Sequence, residues 1–353
     1  MFAPPALLSG LPVHRQVPPP ESLREHRVEG EAWRVALPVT FTPFASARPC
    51  SARCVFCSET LRHRDAGRLA ASLRPGPDYL EGLARALAAL RGLPLGISLS
   101  GLEATDDPDW LLGVLDVLER HERHPEGRVT EKVLYSNAAG LCAETSGAVL
   151  LPRLARYGLT RVEVSRHHPE PARNDAIMRF RPGQPVARRE VFEAAVRATR
   201  GHVPVRLVCI VQRTGVATPE DVEAYLRWAV DALGVTDVVF REFSRLHGLY
   251  LPNATARTVE RDRVPMDTLL ASLLPGGGAS SDFQPLDVTH GYYYWNARLR
   301  WRERCDVTFE ASDYEAMKAR HRSGVIHKLV FHANGNLCAD WDPEREVLLR
   351  TLP

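Results

Sequence analysis

No stretch of this 353-residue chain approaches the roughly 18 consecutive apolar residues that span a bilayer, so no transmembrane helix is expected. Charge of one sign is also lacking. Lys and Arg number 45 against 43 Asp and Glu, a net charge of +2, which gives no basic field for nucleic acid or an anionic membrane. The first twenty residues hold Pro4, Pro5, Pro12 and Pro18 to Pro20, with neither a basic segment nor a clean apolar core, so they do not read as a signal peptide. A disulfide framework is missing too. The seven cysteines are odd in number and three crowd into one loop, which argues for a reducing, cytoplasmic compartment. The other four, Cys142, Cys209, Cys305 and Cys338, are scattered and form no C-x2-C pair.

What remains is an ordinary globular composition, 44% apolar and 25% charged. The length suits one barrel-like domain with extensions, or two domains. Residues 1–32 read as a Pro-rich, irregular arm. Apolar and β-branched runs predict strands at 33–42, 94–99, 132–136, 161–165, 205–211 and 237–243. Helical spacing predicts helices at 78–92, 109–121, 147–157, 188–200 and 218–233 between them. The Thr218-Pro219-Glu220-Asp221 run is a strong helix start.

Strands alternating with helices imply right-handed βαβ units and a parallel sheet. After residue 246 the pattern loosens. A short helix over 265–274, a turn at 276–282, strands at 306–310 and 328–332, and a hairpin turn at Asn334-Gly335-Asn336 are expected. The expected fold class is α/β, with a C-terminal extension, 247–353, capping the domain formed by 33–246.

The chemistry centres on Cys50-Ser51-Ala52-Arg53-Cys54-Val55-Phe56-Cys57. Thiolates this close converge on a metal or cluster without long-range folding. A closed zinc site wants four N or S ligands, and an ordinary 4Fe–4S cluster wants four thiolates. Three thiolates on a four-iron cube leave one iron open. The bland alternatives are a zinc loop completed by a distant ligand, in a non-catalytic α/β protein, or an incidental cluster of cysteines.

The C-x3-C-x2-C spacing, with Phe56 before the last cysteine, resembles the signature of the radical S-adenosylmethionine (radical SAM) superfamily. The resemblance covers roughly residues 33–246, and strand spacing is most similar to the group containing the molybdenum-cofactor enzyme. It implies a partial parallel (β/α)6 TIM-like barrel. It also implies one 4Fe–4S cluster on Cys50, Cys54 and Cys57, S-adenosylmethionine on the open iron, and an external electron donor such as flavodoxin or ferredoxin.

By the same resemblance, Phe56 borders adenine, and Gly101 and Glu103 take the methionine ammonium. Leu102 stands where many relatives have a second Gly. Asn137, Ser165 and Arg166, at strand ends, bind ribose or carboxylate groups. Each has a plainer reading as packing, cap or turn. His167, His168, Arg179, Arg241 and Tyr293 are candidates for the substrate, and Cys209 and Cys338 for hydrogen donation. With no second cluster motif, redox-neutral chemistry on a small sugar-, nucleoside- or amino-acid-like substrate is expected. The alternative is modification of a peptide or tRNA.

Overall fold

A computed structural model of the chain describes residues 3–15, 23–61, 73–142, 146–246, 250–274 and 282–352. The Gly-rich turn expected at 276–282 lies outside them, apart from Asp282.

Eight parallel strands carry the fold. They are β1 (Glu31–Phe44), β2 (Pro94–Leu99), β3 (Arg128–Ser136), β4 (Arg161–Ser165), β5 (Val205–Val211), β6 (Asp237–Glu242), β7 (Cys305–Ser312) and β8 (Val325–His332). They lie side by side in the order β7-β6-β5-β4-β3-β2-β1-β8. Among the described residues the helices are α1 (Tyr79–Ala89), α2 (Pro108–Glu122), α3 (Gly147–Tyr157), α4 (Pro171–Met178), α5 (Arg189–Arg200), α6 (Pro219–Asp231), α7 (Ala254–Asp262), α8 (Met266–Leu273) and α9 (Tyr314–His321). The Thr218 start is a capping box: its hydroxyl accepts from the Asp221 N–H, and the Asp221 carboxylate accepts from the Thr218 N–H.

Side-chain alternation sorts the sheet into two faces. Val162 and Val164, Leu207 and Val211, and Val238 and Phe240 belong to the core under the helices. The opposite face is polar. Glu163 lies 2.9 Å from Arg161 and 3.5 Å from Arg206, Arg206 reaches Asp237 (2.9 Å), and Arg241 pairs with Glu310. That polar face is the inside of an open, partial barrel.

The short link from β7 to β8 makes the sheet curve. A flat sheet would set its outer parallel strands about 34 Å apart, and the link must also run back along a strand of about 26 Å. Residues 313–324, with α9 among them, reach only about 30 Å. Curvature brings the edges together. Tyr292, just before the strand Tyr294–Trp301 that pairs with β7, stacks on His327 of β8, with centroids 4.4 Å apart and planes at 16°. The C-terminal strands thus join the barrel sheet at both edges, where β8 is also paired with Asn336–Cys338 across the expected hairpin turn.

Three expectations need correction. The N-terminal arm is not wholly irregular: Arg24–Val28 pairs antiparallel with the start of β1, and Val13–Arg15 pairs with Phe283–His290. Pro171 to Met178, outside every expected helix, form α4. The helix α7 was not expected at all. Among the described residues, no helix is long and apolar enough to cross a membrane.

Candidate functional site

The cysteine loop leaves the C-terminal end of β1, where parallel α/β folds place their chemistry. It is held almost as an extra strand. The backbone N–H groups of Arg53 and Val55 donate to the carbonyls of Met178 and Ile177, each at 3.0 Å, and Arg181 N–H donates to the Ser51 carbonyl at 2.8 Å. Ala52 bridges Phe180 antiparallel. Arg181 Nε adds a bond to the Cys50 carbonyl at 2.7 Å. Arg179, in the left-handed region at φ 49°, turns the end of α4 into this pairing. Its side chain is exposed, so its contribution is backbone geometry. Neither sequence period marks the segment as the loop's partner; the left-handed cap is a tertiary requirement.

Beneath the loop lies a dense hydrogen-bond network. Ser51 N–H donates to Asp106 Oδ2 at 2.6 Å. Burial raises the Asp106 pKa, opposed by its bonds from Ser51 and by the charges of Arg181 and Arg48. Asn137 Nδ2 donates to Ser51 Oγ at 2.9 Å and lies 3.8 Å from Cys50 Sγ, while its Oδ1 accepts from Ala139 N–H at 2.9 Å.

Glu103 does not face an open site. It is buried and accepts from Asn137 N–H, Thr105 N–H (3.2 Å), Thr105 Oγ1 (2.6 Å) and Ser136 Oγ (2.8 Å). Burial, then the nearby Asp106, pushes its pKa up to about 7. Its bonds tie the ends of β2 and β3 together. Gly101 has φ 99°, and a Cβ there would stand 2.5 Å from the Phe44 ring. Leu102 is also left-handed at φ 50°, the conformation a second Gly would adopt without strain.

The three residues after β4 separate. Ser165 shares the inner face with Glu163. Arg166 points the other way: it is fully buried, its guanidinium 4.6 Å from the Phe192 ring of α5 and its Nε on the His168 carbonyl (3.2 Å). It therefore serves the helix layer, which corrects its reading as a cofactor ligand. Period-2 alternation beyond Ser165 was the available signal.

His167 returns to the inner side, edge-on to Phe56 at 4.9 Å. Its Nδ1 accepts from Ile210 N–H at 3.0 Å, and burial pushes its pKa down to about 3, so it stays neutral with its proton on Nε2. His168 faces outward, lining a cavity with Arg189 of α5 and Trp228 of α6. Phe56 also packs on Phe243 at 5.3 Å, within an apolar cluster that includes Leu61 and Leu246.

Two further substrate candidates, Arg241 and Tyr293, lie near one another on the inner side, but the Arg241 charge is taken by Glu310. The hydrogen-donor candidates do not converge on the loop. Cys209 lies on the helix side of β5, in the core with Tyr225, its thiol directed at the His167 carbonyl (3.6 Å). Cys338 is buried with its thiol on the Pro343 carbonyl (3.6 Å). Alternation places Cys209 on the helix side of its strand, and Cys338 lies against the segment that follows the hairpin.

The loop suits an iron–sulfur cluster. None of the three cysteines is in a disulfide, and each is partly exposed. Cys50 Sγ faces two N–H donors, Ala52 N–H at 3.4 Å and Asn137 Nδ2 at 3.8 Å, an environment made for a thiolate. Burial, then Cys57, pushes the Cys54 thiol up to about 12, and burial, then Glu103, raises that of Cys50. A bound iron centre would reverse that preference. Among the described residues, no three His, Cys, Asp or Glu side chains converge as a single metal ion requires, so no single-ion site is preformed.

No protein-family model matches the chain, and no curated protein matches it. Solved structures do. Streptococcus suis SuiB bound to S-adenosylmethionine matches with a TM-score of 0.50 at 12% identity, over 86% of this chain and 60% of that one. Coproporphyrinogen III oxidase (HemN) from Escherichia coli, a radical SAM enzyme, matches with a TM-score of 0.45 at 12% identity, over 74% and 66%. A third match is anSMEcpe with bound AdoMet and the Cp18Cys peptide, with a TM-score of 0.43 at 14% identity, over 57% and 50%. The chain thus spans between half and two thirds of the length of these proteins. At such identities the likeness is one of fold, and the SuiB match joins the partial barrel described above to a known architecture.

Proposed function

We propose that this chain is a radical SAM enzyme that holds one 4Fe–4S cluster on Cys50, Cys54 and Cys57 and acts on a small polar substrate. One observation carries the reading: three cysteines, none in a disulfide, on a loop clamped to Ile177–Arg181 at the C-terminal mouth of a parallel partial barrel. Bound there, the cluster and S-adenosylmethionine would supply reductive cleavage to a 5′-deoxyadenosyl radical and abstraction of a substrate hydrogen.

The chain's own residues prepare that chemistry. Arg181 and Asp106 fix the loop backbone on either side of Ser51. Asn137 stabilises charge on the Cys50 sulfur, and Glu103 fixes Asn137. Ser165, on the inner face, offers a neutral hydroxyl to a bound ribose or carboxylate. Phe56, with Phe243 and Leu246, makes an apolar wall that excludes water beside the loop.

With one three-cysteine motif in the sequence, a redox-neutral outcome fits best: epimerisation, elimination or rearrangement. The strand spacing favours a relative of the molybdenum-cofactor-enzyme group, working in the cytoplasm with flavodoxin or ferredoxin as donor.

The test is anaerobic. The protein is reconstituted with iron and sulfide, reduced, given S-adenosylmethionine, and assayed for 5′-deoxyadenosine against Cys54→Ala. About four irons per chain and release lost in the variant are expected. A colourless protein with about one zinc would overturn the reading.

A further inference from the structure

A cavity of about 480 Å³ lies by the ends of β1 and β8, between the exit of the cysteine loop and the segment after the C-terminal hairpin. Its position is set by three elements: Phe44 ends β1, Glu59 and Leu61 follow the last cysteine, and His332 ends β8. The C-terminal segment supplies the wall opposite the cysteine loop, through Asp340, Trp341, Asp342 and Arg345, and α9 adds Lys318.

The wall is built rather than loose. Trp341 meets the Phe44 ring edge-on at 5.2 Å and 72°, with the Lys328 ammonium 4.6 Å from its ring centroid. His332 Nε2 bonds to the Asp340 carbonyl at 3.1 Å, pinning the backbone just before Trp341. The Lys318 ammonium lies 5.1 Å from the Tyr250 ring, another lining residue.

Two features define the occupant. The volume is that of a small-molecule site, not of a folded partner. The lining carries both signs, Glu59, Asp340 and Asp342 against Lys318 and Arg345, beside flat aromatic faces. A zwitterionic ligand complements both sets at once. The Arg345–Asp342 pair spans 3.4 Å with both side chains exposed, an interaction weak enough to exchange for a ligand's charges.

We infer that this cavity binds the substrate, a free α-amino acid whose ammonium meets the carboxylates, whose carboxylate meets Lys318 and Arg345, and whose flat apolar side chain packs on Trp341. The word substrate rests on the radical reading above; the binding chemistry does not.

Calorimetry on the anaerobically reconstituted protein tests it with L-phenylalanine, L-phenylalaninamide, 3-phenylpropanoate and N-acetyl-L-phenylalaninamide. L-Phenylalanine is expected to bind about tenfold or more tighter than any of the others, and Lys318→Gln and Asp342→Asn each to remove about tenfold. Trp341→Phe keeps a flat face and is expected to retain binding, whereas Trp341→Ala loses it. Circular dichroism melts of each variant separate lost contacts from lost folding. Equal affinities, no binding by the folded parent, preference for the capped amide, or indifference to Lys318→Gln would overturn the assignment. Iron content and substrate-free 5′-deoxyadenosine release are read on the same samples. A cluster and cleavage without the expected binding pattern removes only the pocket. Absence of a cluster removes the radical reading, whatever the calorimeter records.

Discussion

Asn137 Nδ2 lies 3.8 Å from Cys50 Sγ and 2.9 Å from Ser51 Oγ, so one amide at the end of β3 addresses both a cysteine and its neighbour. A hydrogen-bond donor near a cluster sulfur stabilises the more reduced, more negative state. Asn137→Ala is therefore expected to lower the cluster's midpoint potential by about 20–40 mV, the equivalent of a weak hydrogen bond in a one-electron couple. Anaerobic redox titration followed by electron paramagnetic resonance reads the shift. An unchanged potential would show that the amide serves Ser51 alone.

Arg181 reaches the Cys50 carbonyl from the far side of the clamp. Its replacement by Ala removes one charge-assisted bond and is expected to cost about 1–2 kcal/mol locally. Iron loading after reconstitution should fall, and limited proteolysis should gain a cut near residue 53, while the far-ultraviolet circular dichroism stays that of the parent.

Gly101→Ala places a Cβ 2.5 Å from the Phe44 ring at φ 99°. Clash and strain together are expected to destabilise by about 1–3 kcal/mol. Urea denaturation measures this, with Gly30→Ala as comparison: its φ is 91°, but it has open space around the added carbon.

His167 carries the pH prediction. Burial holds its folded pKa near 3, below its ordinary value of 6.5. A depressed histidine contributes stability that is present above pH 6.5 and lost as pH falls toward 3, because the unfolded chain binds the proton first. His167→Asn keeps an acceptor for Ile210 N–H but cannot titrate. Relative to that variant, the parent's melting temperature should fall as pH drops from 6.5 to 4.5. Parallel curves would refute the buried neutral imidazole.

The strands β2, β4 and β5 match their sequence boundaries because each is a short apolar or alternating run between clear breakers. The helix α4 was invisible for a physical reason. It buries only Asn174, Ile177 and Met178, so no apolar stripe runs along it, and its purpose is to deliver Arg179 to Arg181 to the cysteine loop. α7 buries Ala256, Val259 and Asp262 in a largely charged segment, leaving Asn253 as its one local mark, an N-cap on Ala256 N–H. Of the site, the cysteines and Asn137 were legible as neighbours of strand ends. The direction of Arg166 and Cys209 required only counting by twos along their strands. Glu103 was legible as a strand-end carboxylate, but not as a buried one: its donors come from Thr105, Ser136 and Asn137, two of them more than thirty positions away. Pairing of β8 with β1 has no local signature, since it joins the first and the last of the eight parallel strands in chain order.

The clamp between the cysteine loop and Ile177–Arg181 is made wholly of protein groups and asks nothing of iron. Its backbone bonds, from Arg53 and Val55 N–H and to the Ser51 carbonyl, all join partners more than 120 positions apart, so the shape of the loop depends on α4 being docked beside it.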